Sequence, residues 1–302
     1  MRIGINSGAA SGPETTIPGL IARAQKMEQL GFASFWMAHM FGLDALTALA
    51  LVGQATTRIE LGTAVVPTYP RHPLAMAQQA ATTNAAAGGR FTLGIGLSHK
   101  PIIEGMFGMS YAHPARHMKE YLEILAPALR SEKIDYRGEL YGAHAQLQVA
   151  EAPTTGLVVA ALGERMLELA GTHADGTITW MTGPRTLEQH VIPRIRAAAE
   201  RAGRPAPRIV AGVPTAIVGD LDAARARIDK GMAMYGKLDS YRGMLDREGA
   251  AGPADIAMIG DEAALRKQIQ RFRDIGVTDL NCAILGVGDH DTTVEFLAGE
   301  LS

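Results

Sequence analysis

Cysteine is nearly absent: Cys282 is the only one in 302 residues, which excludes an intrachain disulfide. It lies in the apolar run from Asp279 to Leu285, where a thiol reads as a small core residue rather than a nucleophile. An excess of either charge is also missing. With 29 Lys and Arg against 31 Asp and Glu, the net charge is −2. That gives no electrostatic pull toward nucleic acid or an anionic membrane surface. No apolar run reaches the roughly 20 residues needed to cross a bilayer. No His, Cys, Asp or Glu cluster has metal-ligand spacing. No lysine follows a strand except Lys100, so Schiff-base chemistry has little support. The opening Met1-Arg-Ile-Gly-Ile already reads as a strand, with no signal-peptide pattern. These absences predict a soluble, cytoplasmic protein whose partner is a small-molecule substrate.

What the chain does have is a strand–helix alternation from end to end. Apolar strand patterns begin at Ile3, Ser34, Ile59, Phe91, Leu157, Thr177, Ile209 and Leu280, with amphipathic helical patterns between them. Asp44 and Asp261 stand where helix caps belong, and Pro184 where a helix starts. Eight such units in about 300 residues predict one α/β domain over residues 1–302, a (β/α)₈ TIM barrel. The alternative is an open doubly wound sheet, but the segment after the first strand lacks the Rossmann glycine spacing. Two stretches exceed what a barrel needs: a hairpin-like insertion near 131–156 and a helical excursion near 235–258. Insertions of this length tend to be lids or binding loops. The helices over Ala45–Ala55 and Leu74–Ala87 are rich in Ala and Leu and poor in charge, which predicts a homodimer through them.

In parallel α/β proteins, ligands sit at the carboxyl ends of strands. There this chain places His39, whose imidazole can act as acid or base near neutral pH. The third strand ends in Gly62-Thr63-Ala64-Val65, small enough for a flat ligand to lie close to the backbone. The fourth gives Gly96, Ser98 and His99. The fifth runs through Gly163-Glu164-Arg165-Met166 directly into a helix, whose free amides with Arg165 suit a phosphate. Trp180 could be core or pocket wall. Arg71, held between Pro70 and Pro73, could face a ligand or a subunit contact. With an anion site, a flat pocket and no evident nucleophile, the chemistry points to a bound cofactor.

Six motifs in order resemble those of the luciferase-like monooxygenase superfamily: Trp36-x-x-His39; Leu61-Gly-Thr-Ala-Val with Pro70-Arg-His-Pro73; Gly89-Arg-x-x-Leu-Gly-Ile-Gly96; Gly163-x-x-Met-Leu-Glu-Leu-Ala170; Ala174-Asp-Gly176; and Phe272-x-x-x-Gly-Val-Thr-Asp279. The branch resembled is that of the deazaflavin (coenzyme F420)-dependent oxidoreductases. Methylenetetrahydromethanopterin reductase and the deazaflavin-dependent glucose-6-phosphate dehydrogenase belong to it. The resemblance implies hydride transfer between coenzyme F420 and an organic substrate, with His39 catalytic. It implies cofactor contacts from His39, Thr63, Ala64, Val65, Gly96, Ser98, His99, Gly163, Glu164, Arg165 and Met166. It also implies a non-proline cis peptide at Ala64–Val65. Two positions depart from the branch: Ala38 where relatives carry an acidic or hydroxyl residue, and Ala64 where many have glycine. The alternatives are an FMN-dependent monooxygenase of the same superfamily and a cofactor-binding protein without catalysis.

Overall fold

Parallel strands cannot be joined by hairpins; each pair needs a crossover, and a helix supplies it. In the computed structural model, which describes residues 1–9, 15–150 and 153–301, that rule generates a closed ring. Its strands are β1 (Arg2–Asn6), β2 (Ser34–Met37), β3 (Glu60–Thr63), β4 (Phe91–Gly96), β5 (Gly156–Val159), β6 (Gly176–Trp180), β7 (Arg208–Ile217) and β8 (Asp279–Ile284). Neighbours pair in parallel around the circle, with β8 beside β1 and β7 joining β6 to β8. The expected (β/α)₈ barrel is therefore the fold.

Apart from α4 and the last helix, which the sequence reading does not anticipate, the helices fall where periodicity placed them: α1 (Ile17–Gln29), α2 (Ala45–Ala55), α3 (Pro73–Ala86), α4 (Lys100–Gly105), α5 (Pro114–Leu129) and α6 (Glu164–His173). They continue as α7 (Ile192–Arg201), α8 (Leu221–Gly231), α9 (Asp239–Glu248), α10 (Glu262–Asp274) and α11 (His290–Gly299). Asp44 caps α2 by accepting from Thr47 N, and Asp261 caps α10 by accepting from Ala264 N. The helix expected from Pro184 does begin there, but a π-turn over Leu187–Val191 interrupts it before α7. The 131–156 insertion holds an antiparallel hairpin, Ile134–Arg137 against Gly142–Ala145. The 235–258 excursion carries α9 between two short 3₁₀ turns.

Inside the ring, residues two apart along each strand both point inward and fall in successive layers. The lower layer is ionic. Arg208 donates to both oxygens of Glu60 (2.7 and 3.0 Å) and to Asp279 (3.0 and 2.9 Å). Above it, Trp36 is fully buried with Val158, Ile178 and Val210. A Cβ on Gly62 would lie 2.3 Å from the Trp36 ring, so this glycine makes room for the indole. The Trp36 ring nitrogen donates to Ser34 Oγ (2.8 Å), and the Arg208 guanidinium lies 5.5 Å from its centre. The barrel is thus filled below, which leaves binding to its upper mouth.

The small residues of α2 and α3 are largely used within the chain. A Cβ on Gly53 of α2 would meet Ala87, just past α3, at 2.8 Å. The composition that suggested a partner subunit is in good part accounted for by this contact. Cys282 is fully buried, and burial pushes its thiol up to about 12, in keeping with a core residue. Among the described residues no helix is long and apolar enough to cross a membrane.

Candidate functional site

The mouth is shaped first by a bulge after β3. Gly62 pairs with Thr92, but Val66 pairs with Ile95, so one more residue runs along this side than along β4. This explains why the strand expected to run unbroken from Ile59 to Val66 is split. The Ala64–Val65 peptide is cis. The bulge settles onto two glycines of β4. A Cβ on Gly94 would lie 2.0 Å from Thr63 O, and one on Gly96 would lie 2.7 Å from Val65 Cγ2 and 3.1 Å from Ala160 Cβ. Ala64 and Val65 remain half-buried, open to the mouth.

Thr63 corrects an expectation. Its side chain is fully buried, and its hydroxyl donates to Gly94 O and accepts from Gly94 N, each at 2.8 Å. It anchors the bulge, with its only hydroxyl proton already donated to Gly94.

His39 lies beside the bulge: its N–H donates to Val65 O at 3.4 Å, and Ala64 N donates to Met37 O at 2.8 Å. His39 Nδ1 accepts from Ala45 N at 3.2 Å. Burial and the Arg71 cation lower the His39 pKa, against a smaller opposing pull from Asp44. Arg71 Nη1 stands 3.4 Å from Nε2, and Arg71 Nη2 donates to Asp44 Oδ2 at 2.5 Å. Burial raises the Asp44 pKa, but bonds from Thr47 and the Arg71 charge outweigh it, and the carboxyl is held below its ordinary value. The outcome is a neutral imidazole between an ion pair and the bulge. Arg71, left open between two roles by the sequence, faces His39 and Asp44.

The rim beyond is held by α5. Thr68 Oγ1 and His117 Nε2 share a 2.8 Å hydrogen bond, and Tyr69 stacks on the His117 ring at 3.8 Å. Tyr111 OH donates to the carbonyl of Ser98 at 3.3 Å, and Ser98 adopts a left-handed φ of 59°. His99 is partly buried, which lowers its pKa, and its ring centroid lies 5.6 Å from that of Tyr241.

The end of β5 sits next to the end of β4, because Ile95 pairs with Val159 and Ala160 N donates to Ile95 O at 2.8 Å. Ser98 and His99 therefore leave the barrel beside Gly163. Gly163 is the exposed N-cap of α6 with no side-chain cap bond, so the first amides of α6 lack a side-chain partner. Arg165 is exposed, with no ion-pair partner among the described residues. The Glu164 carboxylate pairs with Arg194 at 3.2 Å, and Met166 packs against the main core, while the backbone amides of both belong to the helix start.

Other features carried no local motif. Tyr241 and Tyr235 lie on the excursion after β7, with ring centroids 5.1 Å apart, and Tyr235 meets Trp180 edge-on at 6.3 Å. Trp180 is partly buried and packs with this aromatic group. The only sequence signal for the tyrosines was the surplus length of the excursion. His190, buried in the π-turn, donates from Nε2 to Leu162 O at 2.7 Å and fixes the carbonyl just before Gly163. No spacing in the chain signals that bond.

Residues 1–300 match the family described as luciferase-like monooxygenase. A Mycobacterium tuberculosis protein provisionally named a coenzyme F420-dependent oxidoreductase is 27% identical over 92% of this chain and 93% of its own. The coenzyme F420-dependent tetrahydromethanopterin reductase from Methanopyrus kandleri superposes with a TM-score of 0.81 at 22% identity, over 99% of this chain and 98% of that one. The oxygenating constituent of 3,6-diketocamphane monooxygenase from Pseudomonas putida, solved with FMN, gives 0.77 at 16% identity over 100% and 97%. At such identities the two structures speak for the fold alone.

Proposed function

We propose that this chain, which belongs to the luciferase-like monooxygenase family, is a coenzyme F420-dependent oxidoreductase that transfers a hydride between the cofactor and a small organic molecule. The observation that carries the reading is the bulge at Ala64–Val65, seated on Gly94 and Gly96 beside a neutral His39, next to the open start of α6. It is supported by the similar protein whose name includes that cofactor.

The residues present fit such a group. Ala64, Val65, Gly96 and Ala160 form a floor of small side chains on which a flat ring can lie. The α6 amides, Gly163 and Arg165 offer an anion site for its phosphate. When bound, a deazaflavin supplies two-electron hydride chemistry with little reactivity toward oxygen. The chain's part is to position and shield. Ala64 and Val65 would support the ring from one side. His39 would lie beside the ring, with Arg71 and Asp44 fixing the imidazole. Ser98 and His99 would face the anion site from the end of β4.

The test is a pair of binding titrations, coenzyme F420 against FMN, on the purified protein. Tighter binding of F420 supports the proposal. Tighter binding of FMN, with oxygen uptake on reduction, would replace it with the monooxygenase reading. Binding of F420 without turnover of any organic substrate would leave a cofactor-binding protein.

A further inference from the structure

We infer that the substrate taken by this mouth is an uncharged, largely apolar molecule carrying a ring. The inference rests on the cofactor reading above and names the class of its substrate.

One wall is the stacked pair Phe41 and Phe107, ring centroids 5.8 Å apart and 29° between planes. Phe41 follows β2, and Phe107 follows α4 beyond β4, so the pair bridges the rim on either side of β3 and its bulge. Both rings are exposed, at 61% and 41%, and the flanking Met40 and Met106 are exposed as well. A soluble domain seldom leaves so much apolar surface together unless something covers it. Thioethers beside aromatic faces make an adaptable apolar surface rather than a polar one.

The opposite wall is Tyr241. Its contact with His99 joins a residue after β7 to one after β4, so the excursion reaches over β5 and β6. Tyr235 and Trp180 continue this wall as an edge-to-face series. By strand order, the phenylalanines after β2 and β4 and the aromatic series after β6 and β7 flank the strand ends that carry Ala64, Val65 and Ala160.

Several cations at or beside the walls are already paired: Arg71 with Asp44, Lys100 with Glu104 and Arg242, next to Tyr241, with Asp246. Arg165 is assigned to the cofactor's phosphate. Lys237, two residues from Tyr235, is exposed with no ion-pair partner among the described residues, so the preference for a neutral ring rests on the apolar walls. An apolar ring only has to displace water from surfaces that hold it poorly. The occupant is thus a small molecule lying between the walls, rather than a second copy of the chain covering Phe41 and Phe107.

The test compares 2-naphthol with 2-naphthalenesulfonate, the same ring system without and with a charge, by anisotropy of their own fluorescence. Both are titrated into protein with and without saturating F420. The neutral probe is expected to bind at least about tenfold more tightly, since each aromatic contact it makes adds to burial. The double substitution Phe41→Ser and Phe107→Ser should weaken 2-naphthol about tenfold, removing two such contacts. It should leave F420 affinity and oligomeric state unchanged. Leu221→Ser, at an exposed leucine opening α8, should change nothing. Equal or tighter binding of the sulfonate would overturn the inference. So would a double variant with wild-type naphthol affinity, or one that alters subunit association instead. If F420 fails to bind while the naphthol preference holds, the cofactor reading falls and the apolar walls stand.

Discussion

Thr63 and Gly94 exchange two hydrogen bonds, both 2.8 Å, through a single hydroxyl that donates to the Gly94 carbonyl and accepts from its amide. The pair sits where the β3–β4 ladder slips by one residue, so a side chain satisfies backbone groups that the ladder leaves behind. The bulge that forms the candidate cofactor floor therefore depends on one buried threonine. Thr63→Val keeps the shape but strands both Gly94 groups. It should cost about 2–6 kcal/mol, from about 1–3 for each of the two buried unsatisfied groups. Thr63→Ser should recover most of that loss. Urea unfolding midpoints of the three proteins check it.

Ala64 is half-buried on the mouth side of the same bulge. Ala64→Leu should occupy the space of the ring and weaken F420 binding by at least about a hundredfold, a steric penalty near 3 kcal/mol. The unfolding midpoint should stay close to wild type, because the added atoms face the mouth. Wild-type affinity in this variant would remove the cofactor from the bulge.

Arg165 is expected to contribute one charge-assisted phosphate bond, worth roughly 1.5–3 kcal/mol. Arg165→Ala should then weaken F420 binding about ten- to a hundredfold, with a larger loss at low ionic strength. The α6 amides would remain, so binding should persist. Salt-dependent titration of both proteins measures this, and equal affinities at low salt would leave the anion site to the backbone.

His117 gives a pH dependence with a definite sign. Burial among Tyr69, Tyr121 and Tyr141 lowers its pKa to about 4, against a smaller upward pull from Glu120. The unfolded chain takes up this proton near the ordinary value of about 6.5. Stability is therefore unaffected above that pH, and falls as pH drops from about 6.5 toward 4, because the unfolded state then holds more protons. His117→Gln removes the titration and should flatten the slope of unfolding free energy across that window. An unchanged slope would assign it to the other buried histidines.

Arg208 closes the bottom of the barrel against Glu60 and Asp279. Burial alone would lower its pKa, but bonds from the two carboxylates raise it well above the usual arginine range. Arg208→Met leaves Arg2, which also pairs with Glu60 and Asp279, as the only cation on the two carboxylates and should cost at most about 3–5 kcal/mol. The loss should shrink in acid as the carboxylates protonate. Thermal unfolding at neutral and acidic pH tests both parts.

Some of this was written in the chain's local order. Apolar periods of two and of 3.6 residues are set by neighbours in sequence, so the eight strands and the helices between them were legible. So were the caps Asp44 and Asp261, since a cap acts within three residues. The candidate site was legible as strand ends: His39, Ala64, Gly96, Ser98, His99 and Gly163 needed only the rule that ligands gather there. Other matters were decided by distance across the folded ring. Thr63 became an anchor only because Gly94, 31 residues away, lies opposite it. Glu164 turned to Arg194, and Met166 to the core, because α6 has one face packed inward. Tyr241 reached His99 because the excursion after β7 crosses two strands of the mouth. Residue spacing encodes what neighbours along the chain can do for one another. Which distant groups satisfy, crowd or cover each other is set by register and ring closure, and only the tertiary structure decides it.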